Sequence, residues 1–364
     1  MDKSMIFCPN EKCKHFHKIN EGNLRVKQTQ GKCQPIDLII CDECETTFSE
    51  RKGTVYFGIK KPDYVFDQVI ALLMTRISIK DIVRVTGVSE DTIGKWIIKA
   101  SSFLEPISEK LLRELSIREC QVDEMWTYVL MKNKTVKKKN LENVDDKIGD
   151  QWIFIAFDAV NKLVIHWKVG KRTLETAKMF IKEVKSKIIT NPLYTSDELP
   201  AYEEAFLSNF SEEIVIEKTG KRGRPRKKAL RKVDPDLKLA QTHKHRENGK
   251  VVNVREEIIF GDEEEIRKIL KESPVSNCIN TSFVERNNGT VRSKVSRTVR
   301  CTYSFSKKYE KHLAHLAIYF VYYNFIWIHS RIKKTAACMS GIVDKAFTFN
   351  ELFNMRNLEF ICGH

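Results

Sequence analysis

Apolar positions recur with two different periods along the chain, and the change of period divides it. From about residue 62 to 117 the spacing is helical. Val69, Leu72 and Leu73 mark one face of a first helix, and Ile79, Ile82 and Val83 a short second one ending near Gly87. Ser89 closes the turn Gly87-Val88-Ser89 and suits the cap of a third helix, with Glu90 and Asp91 at its positive end. That helix carries Ile93, Trp96, Ile97 and Ala100 on one side and Thr92, Lys95 and Lys99 on the other. From Glu119 the period drops to two. Residues 120–130, 152–157 and 163–169 read as three antiparallel strands, with a polar, Lys-rich hairpin loop over 132–150. Thr173 can cap a helix through Ala177, Phe180, Ile181 and Val184, and residues 188–195 lead as a fourth strand to Asp197. A long helical region from 281 to 332 ends the periodic part.

These elements predict an α/β protein with a ribonuclease-H-like core over 119–335, preceded by a helical unit over 59–118 and a small cysteine-bearing unit over 1–58. A very basic, weakly periodic segment, 211–262, is expected to interrupt the core as an insertion, and 336–364 to form a carboxy-terminal tail. In the helical unit, two helices joined by a glycine-containing turn form a helix-turn-helix, whose second helix can enter a major groove. Ser89, Glu90, Thr92, Lys95 and Lys99 then stand where DNA contacts fall. An ordinary helical hairpin has the same pattern, so a second indication is needed.

Charge supplies one. The 364 residues include 63 Lys and Arg against 48 Asp and Glu, a formal net charge of +15. Such an excess favours a polyanionic partner, because each cation placed on a phosphate releases a counterion. The start of the chain has no apolar signal segment, and no stretch reaches the roughly 20 apolar residues of a membrane span. An intracellular, cytoplasmic protein without membrane contact is expected, in which thiols stay reduced.

The cysteines then read as metal ligands. Cys8-Pro-Asn-Glu-Lys-Cys13 and Cys41-Asp-Glu-Cys44 are two knuckles on either side of a strand-like stretch, the layout of a zinc ribbon. Cys33, His15 and His17 are spare candidates. Cys120, Cys278, Cys301, Cys338 and Cys362 are scattered and read as small core residues.

Asp123 lies in the first core strand, where a carboxylate among apolar neighbours is costly unless it meets a cation. Asp197 follows the fourth strand and can reach the same end of the sheet. Glu285 lies in a polar helical stretch. Three such carboxylates can chelate two Mg²⁺ or Mn²⁺ ions. Glu124 and Asp158 compete for the same role, but strand alternation is expected to turn Glu124 to the opposite face from Asp123.

Three segments are similar to those of bacterial and archaeal DDE transposases of the insertion-sequence-one type. They are Val122-Asp-Glu-Met-Trp126, Thr195-Ser-Asp-Glu-Leu-Pro-Ala-Tyr202 and Thr281-Ser-Phe-Val-Glu-Arg-Asn-Asn-Gly-Thr-Val-Arg292. Tyr323-Asn-Phe-Ile-Trp-Ile-His329 resembles a late segment of that family, and a zinc ribbon followed by a helix-turn-helix fits its layout. The resemblance implies Mg²⁺-dependent cleavage and strand transfer at the inverted-repeat ends of a prokaryotic mobile element, in the nucleoid, by a homo-oligomer. It places the three catalytic acids at Asp123, Asp197 and Glu285. The insertion sets Asp197 and Glu285 further apart than in short members of the family.

Further basic groups fit double-stranded DNA. Gly223-Arg224-Pro225, flanked by Arg222 and Arg226, resembles an AT-hook that lays arginines in a narrow minor groove. Glu285, Asn288 and Arg292 share a helical face, with Arg286 nearby as a further phosphate clamp. His329 is a secondary candidate for the scissile phosphate. A DNA-binding regulator that has lost catalysis, or a metal-dependent endonuclease that cuts without joining, would share many of these features.

Overall fold

The computed structural model describes residues 5–214, 230–248 and 250–356. Its first unit is an antiparallel sheet, β1 (Leu24–Gln30), β2 (Ile36–Cys41) and β3 (Thr47–Ser49), in that spatial order. Among the described residues its apolar core is small, Ile6, Ile39 and Phe48 with Leu24 against them, beside a buried cluster of Cys8, Cys13 and Cys41. A unit this small needs a staple beyond hydrophobic burial.

The helical unit has the three predicted helices, with a cap at Ser78 besides the one expected at Ser89. α1 (Asp63–Leu73) leads to α2 (Ile79–Thr86), where Ser78 accepts a hydrogen bond from the Asp81 amide. Gly87 then adopts φ 65°, the left-handed conformation that ends a helix most easily without a Cβ. Ser89 accepts from the Thr92 amide and starts α3 (Glu90–Leu111). α3 buries Ile93, Ile97, Ala100, Leu104, Ile107 and Leu111, a stripe spaced by three and four residues.

The central sheet is mixed. β4 (Glu119–Val129) is followed by the short α4 (Asn133–Lys138), then β5 (Gly149–Asp158) and β6 (Val164–Gly170), which extend the sheet antiparallel from β4. After α5 (Leu174–Lys185) the chain returns as β7 (Leu193–Asp197), parallel to β4 on its other side. α6 (Pro200–Asn209) follows. Phe154 of β5 meets Phe180 of α5 and Tyr202 of α6, which puts both helices on one face.

Segment 211–262 is not a plain interruption. β8 (Ser211–Ile214) and β9 (Leu230–Val233) form a small hairpin. β10 (Lys238–Glu247) then pairs parallel with β7, and β11 (Lys250–Phe260) pairs antiparallel with β10 as the sheet edge. The full order is β11-β10-β7-β4-β5-β6. Residues 215–229, with Arg222, Arg224 and Arg226, lie outside the described residues.

α7 (Glu263–Lys271) packs Ile266 and Leu270 with Leu193 and Ala240 of the sheet. The expected long helical region is broken into α8 (Ser282–Lys294), a turn of 3-10 helix at Ser296–Thr298, α9 (Tyr309–Val321) and a π-helical segment at Tyr322–Ile326. Asn324 in that segment is buried. Its side chain pairs with both the N–H and the C=O of Val164, satisfying its two polar ends. The segment from 336 is no loose tail through residue 356. α10 (Ala336–Met339) and α11 (Phe349–Phe353) pack back on the body, and Phe353 closes an aromatic cluster with Tyr56 and Phe66. Among the described residues no helix is long and apolar enough to cross a membrane.

Candidate metal centres

In the amino-terminal unit Cys8, Cys13, Cys41 and Cys44 bring their sulfurs within 4.8 Å of one another. The Cys8–Cys44 and Cys13–Cys41 sulfur pairs are 3.5 and 3.9 Å apart. Tetrahedral Zn²⁺ with sulfurs at about 2.3 Å requires separations of roughly 3.8 Å, so the spacing fits. The surroundings favour thiolates as well. Asn23 Nδ2 donates to Cys41 Sγ at 3.1 Å, and hydrogen bonds with Thr46 hold the Cys44 thiol down at about 6. Burial pushes Cys8 up, a cost that a cation would reverse. The four cysteines can therefore bind zinc. His15 meets Glu21, His17 stacks on Phe16 and Cys33 is exposed, so none joins the cluster. Of the scattered cysteines read as core, Cys120 is buried, whereas Cys278 and Cys301 are exposed and Cys338 half-buried.

The second centre sits in the central sheet. The parallel ladder pairs Gln121 of β4 with Thr195 of β7, so two residues further along come Asp123 and Asp197. Asp123 faces α8, where Asn288 Nδ2 donates to its Oδ2 at 2.7 Å. Glu124 and its cross-strand partner Phe154 face α5 and α6, as alternation requires. There Arg172 Nε donates to Glu124 Oε1 at 2.8 Å, and the same guanidinium lies 4.7 Å from the centre of the Trp152 ring.

Alternation does not keep Glu124 out of the centre. Asp123, Glu124 and Asp197 each bring a carboxylate oxygen within 4.8 Å of the others. β7 stops at Asp197, and beyond its last residue side chains from both faces of β4 can converge. The electrostatics follow. Burial and then Asp197 raise Asp123 to about 8, and the same two causes raise Glu124 to about 7. Burial also raises Asp197 above the usual carboxylate range. Three carboxyls held this way repel one another unless a proton or a cation intervenes. Oxygen-only donors suit a hard divalent cation, so the group can bind one.

Glu285 stands near but outside this trio. It raises both Asp123 and Asp197 electrostatically, yet its carboxylate is engaged by Thr281 Oγ1 at 2.7 Å and by Lys244 of β10. The start of its helix is fixed to the sheet by a buried side chain of β4. Thr281 gives α8 no side-chain cap; instead Gln121 Oε1 accepts the Phe283 and Val284 amides at 3.1 and 3.0 Å. Gln121 Nε2 donates to Asn280 O at 2.8 Å. The cap thus comes from β4, two residues before Asp123.

Other expected residues divide. Arg292, half-buried beneath α8, donates to Trp126 O and lies within electrostatic reach of Asp123. Arg286 is exposed on another side of the helix. Asp158 binds the Val160 and Asn161 amides of its own turn and is a structural residue. His329 stacks on Trp327 beside Tyr323 and is not brought to the carboxylates by any contact among the described residues. On α3, Ser89 and Thr92 bond to each other, while Lys95 is exposed and Lys99 half-exposed.

Sequence reasoning missed Arg172 and Lys244 and set Glu124 aside. Two adjacent carboxylates inside a buried strand were the available signal, because leaving both unpaired there would be costly. No protein-family model matches the chain, and no curated protein matches it either.

Proposed function

We propose that this protein is a DNA transposase of the insertion-sequence-one type, which cleaves the ends of a mobile element and joins them to target DNA. The observation that carries the reading is the trio Asp123, Glu124 and Asp197 at the end of β7, Glu124 buried and the two aspartates half-buried, with Glu285 beside it. The sheet supports a ribonuclease-H-like core: three antiparallel strands, then two parallel ones, with acids on the central strand and its neighbour. The cysteine cluster and the exposed lysines of α3 support a zinc ribbon and a helix-turn-helix that bind the element ends.

Asp123 and Asp197 would hold Mg²⁺ or Mn²⁺ together, with Glu124 or Glu285 completing the ligand set. Two such ions supply charge neutralisation for both the attacking and the leaving oxygen of an in-line displacement at phosphorus. The chain's own groups do the rest. Asn288 fixes the rotamer of Asp123, and Arg172 holds Glu124. Lys244 pairs with Glu285; were that carboxylate to serve a cation instead, the ammonium would be free to neutralise a DNA phosphate. Water cleaves the phosphodiester at the element end and leaves a 3′-hydroxyl. That hydroxyl attacks a target phosphodiester and displaces a second 3′-hydroxyl, so the number of phosphodiester bonds is unchanged in this step. No protein nucleophile is required. Joining two ends calls for a homo-oligomer.

The test is incubation of purified protein with labelled element ends, target DNA and Mg²⁺. Joined product is expected from the native chain, and Asp123→Asn should retain end binding but neither cut nor join. Cut ends without joining would make the protein an endonuclease, and a mobility shift without cleavage a DNA-binding regulator. Full cleavage by Asp123→Asn would remove the trio from the chemistry.

A further inference from the structure

A cavity rich in cationic side chains lies away from the carboxylates. It has a volume of about 340 Å³ and is bounded by the amino ends of α2 and α3 on one side and by the segment joining α8 to α9 on the other. Its walls carry Lys80, Arg297, Lys307, Lys308 and Lys311, against Glu90 as the one acid. Among the described residues none of these five cations forms an ion pair.

Arg297 is the decisive member. It is only 9% exposed, and its partners are neutral. Nε donates to His315 Nδ1 at 3.1 Å and Nη1 to Ser306 Oγ at 3.3 Å. His315 Nε2 lies 3.3 Å from Leu73 O and donates to it, which leaves Nδ1 to accept from the arginine and fixes a neutral imidazole. Burial lowers Arg297 to about 10, so it keeps its charge at neutral pH. A guanidinium buried without an ion pair, with Glu90 of the same wall as its one electrostatic counterweight, is expensive, and the expense falls when an anion enters beside it.

We infer that this cavity is an anion site for a phosphate group, with Arg297 as the buried anchor and Lys308 and Lys311 as clamps at its mouth. The guanidinium fork and the clustered ammonium groups match tetrahedral phosphate oxygens. Two sources share that chemistry: a backbone phosphate of duplex DNA and a small phosphate-bearing molecule. The site stands whether or not the carboxylate trio performs strand transfer.

The test titrates inorganic pyrophosphate into the full chain by calorimetry, at low salt and without divalent cations. Binding is expected to weaken at least tenfold in Arg297→Gln. Because that residue is buried, the surface variant Lys308→Ala/Lys311→Ala is measured beside it and should weaken binding by a similar factor. Displacement of bound pyrophosphate by a duplex oligonucleotide assigns the site to DNA; co-binding assigns it to a small phosphate compound. Asp123→Asn should bind pyrophosphate like the native chain even if no strand transfer is ever observed, which separates this site from the proposed activity. A native protein that takes up no pyrophosphate, or a double lysine variant that binds it unchanged, overturns the inference.

Discussion

Raising the pH should make a divalent cation a progressively stronger stabiliser of this protein. Asp123 is held up at about 8 and Glu124 at about 7 by burial and mutual repulsion. A carboxyl raised in the folded state keeps a proton that the unfolded chain has already lost. Metal-free stability therefore falls as pH rises from about 4, the unfolded value, to about 8, the folded one. The cation competes with those protons. About two pH units below the folded value of Asp123, its proton alone weakens cation binding roughly 100-fold. Glu124 acts in the same direction. With Mg²⁺ set at about 100 times its dissociation constant near pH 9, stabilisation is ~2.7 kcal/mol, and near pH 6 it drops to ~0.4 kcal/mol. For a unit of this size that is a rise in melting temperature of roughly 5–10 °C at the higher pH and about 1 °C at the lower. Thermal unfolding of zinc-loaded protein with and without Mg²⁺ measures it. In Asp123→Asn the metal-free stability should lose much of its pH slope, and the Mg²⁺ effect should shrink at both pH values. An equal Mg²⁺ shift near pH 6 and near pH 9, or an undiminished shift in Asp123→Asn, would refute the reasoning.

Two further outcomes follow from particular contacts. Gln121→Leu keeps the volume but strands two α8 amides, for an expected loss of about 2–4 kcal/mol in urea unfolding, whereas Gln121→Glu retains the acceptor and should lose less. Cys41→Ser should bring zinc content from about one per chain to near zero by atomic absorption and expose residues 24–49 to protease, while helical circular dichroism from α1–α3 persists.

The legible parts of this chain are those where one physical rule acts alone. β4, β5 and β6 are rich in β-favouring apolar residues, Ser89 caps where a serine precedes an apolar helix face, and the four cysteines are paired by spacing. Asp123 stood out because it is a carboxylate among apolar neighbours. β10 was hidden because only its first residues are sandwiched between layers; past Thr242 it runs with β11 as a solvated ribbon, where alternation carries no penalty. Missing β10 also meant missing Lys244, and hence the ion pair that holds Glu285 back from the trio. Glu124 was excluded by a rule that holds within a ladder, not at the end of a neighbouring strand. The late segment 336–356 is broken into helices too short to show a period, and its partners Tyr56 and Phe66 are distant in sequence.

That distant closure has a consequence for biosynthesis. Phe353 covers Tyr56 and Phe66, its carbonyl accepts the Val55 amide, and Asn350 donates to the Tyr56 hydroxyl. At about 5–20 residues per second, a ribosome delivers α11 on the order of tens of seconds after α1. Through that interval the nascent helical unit exposes an aromatic surface with its lid still unmade. A chain interrupted before α11 would keep that surface open for good, and its helical unit would be sticky and short-lived in the cell.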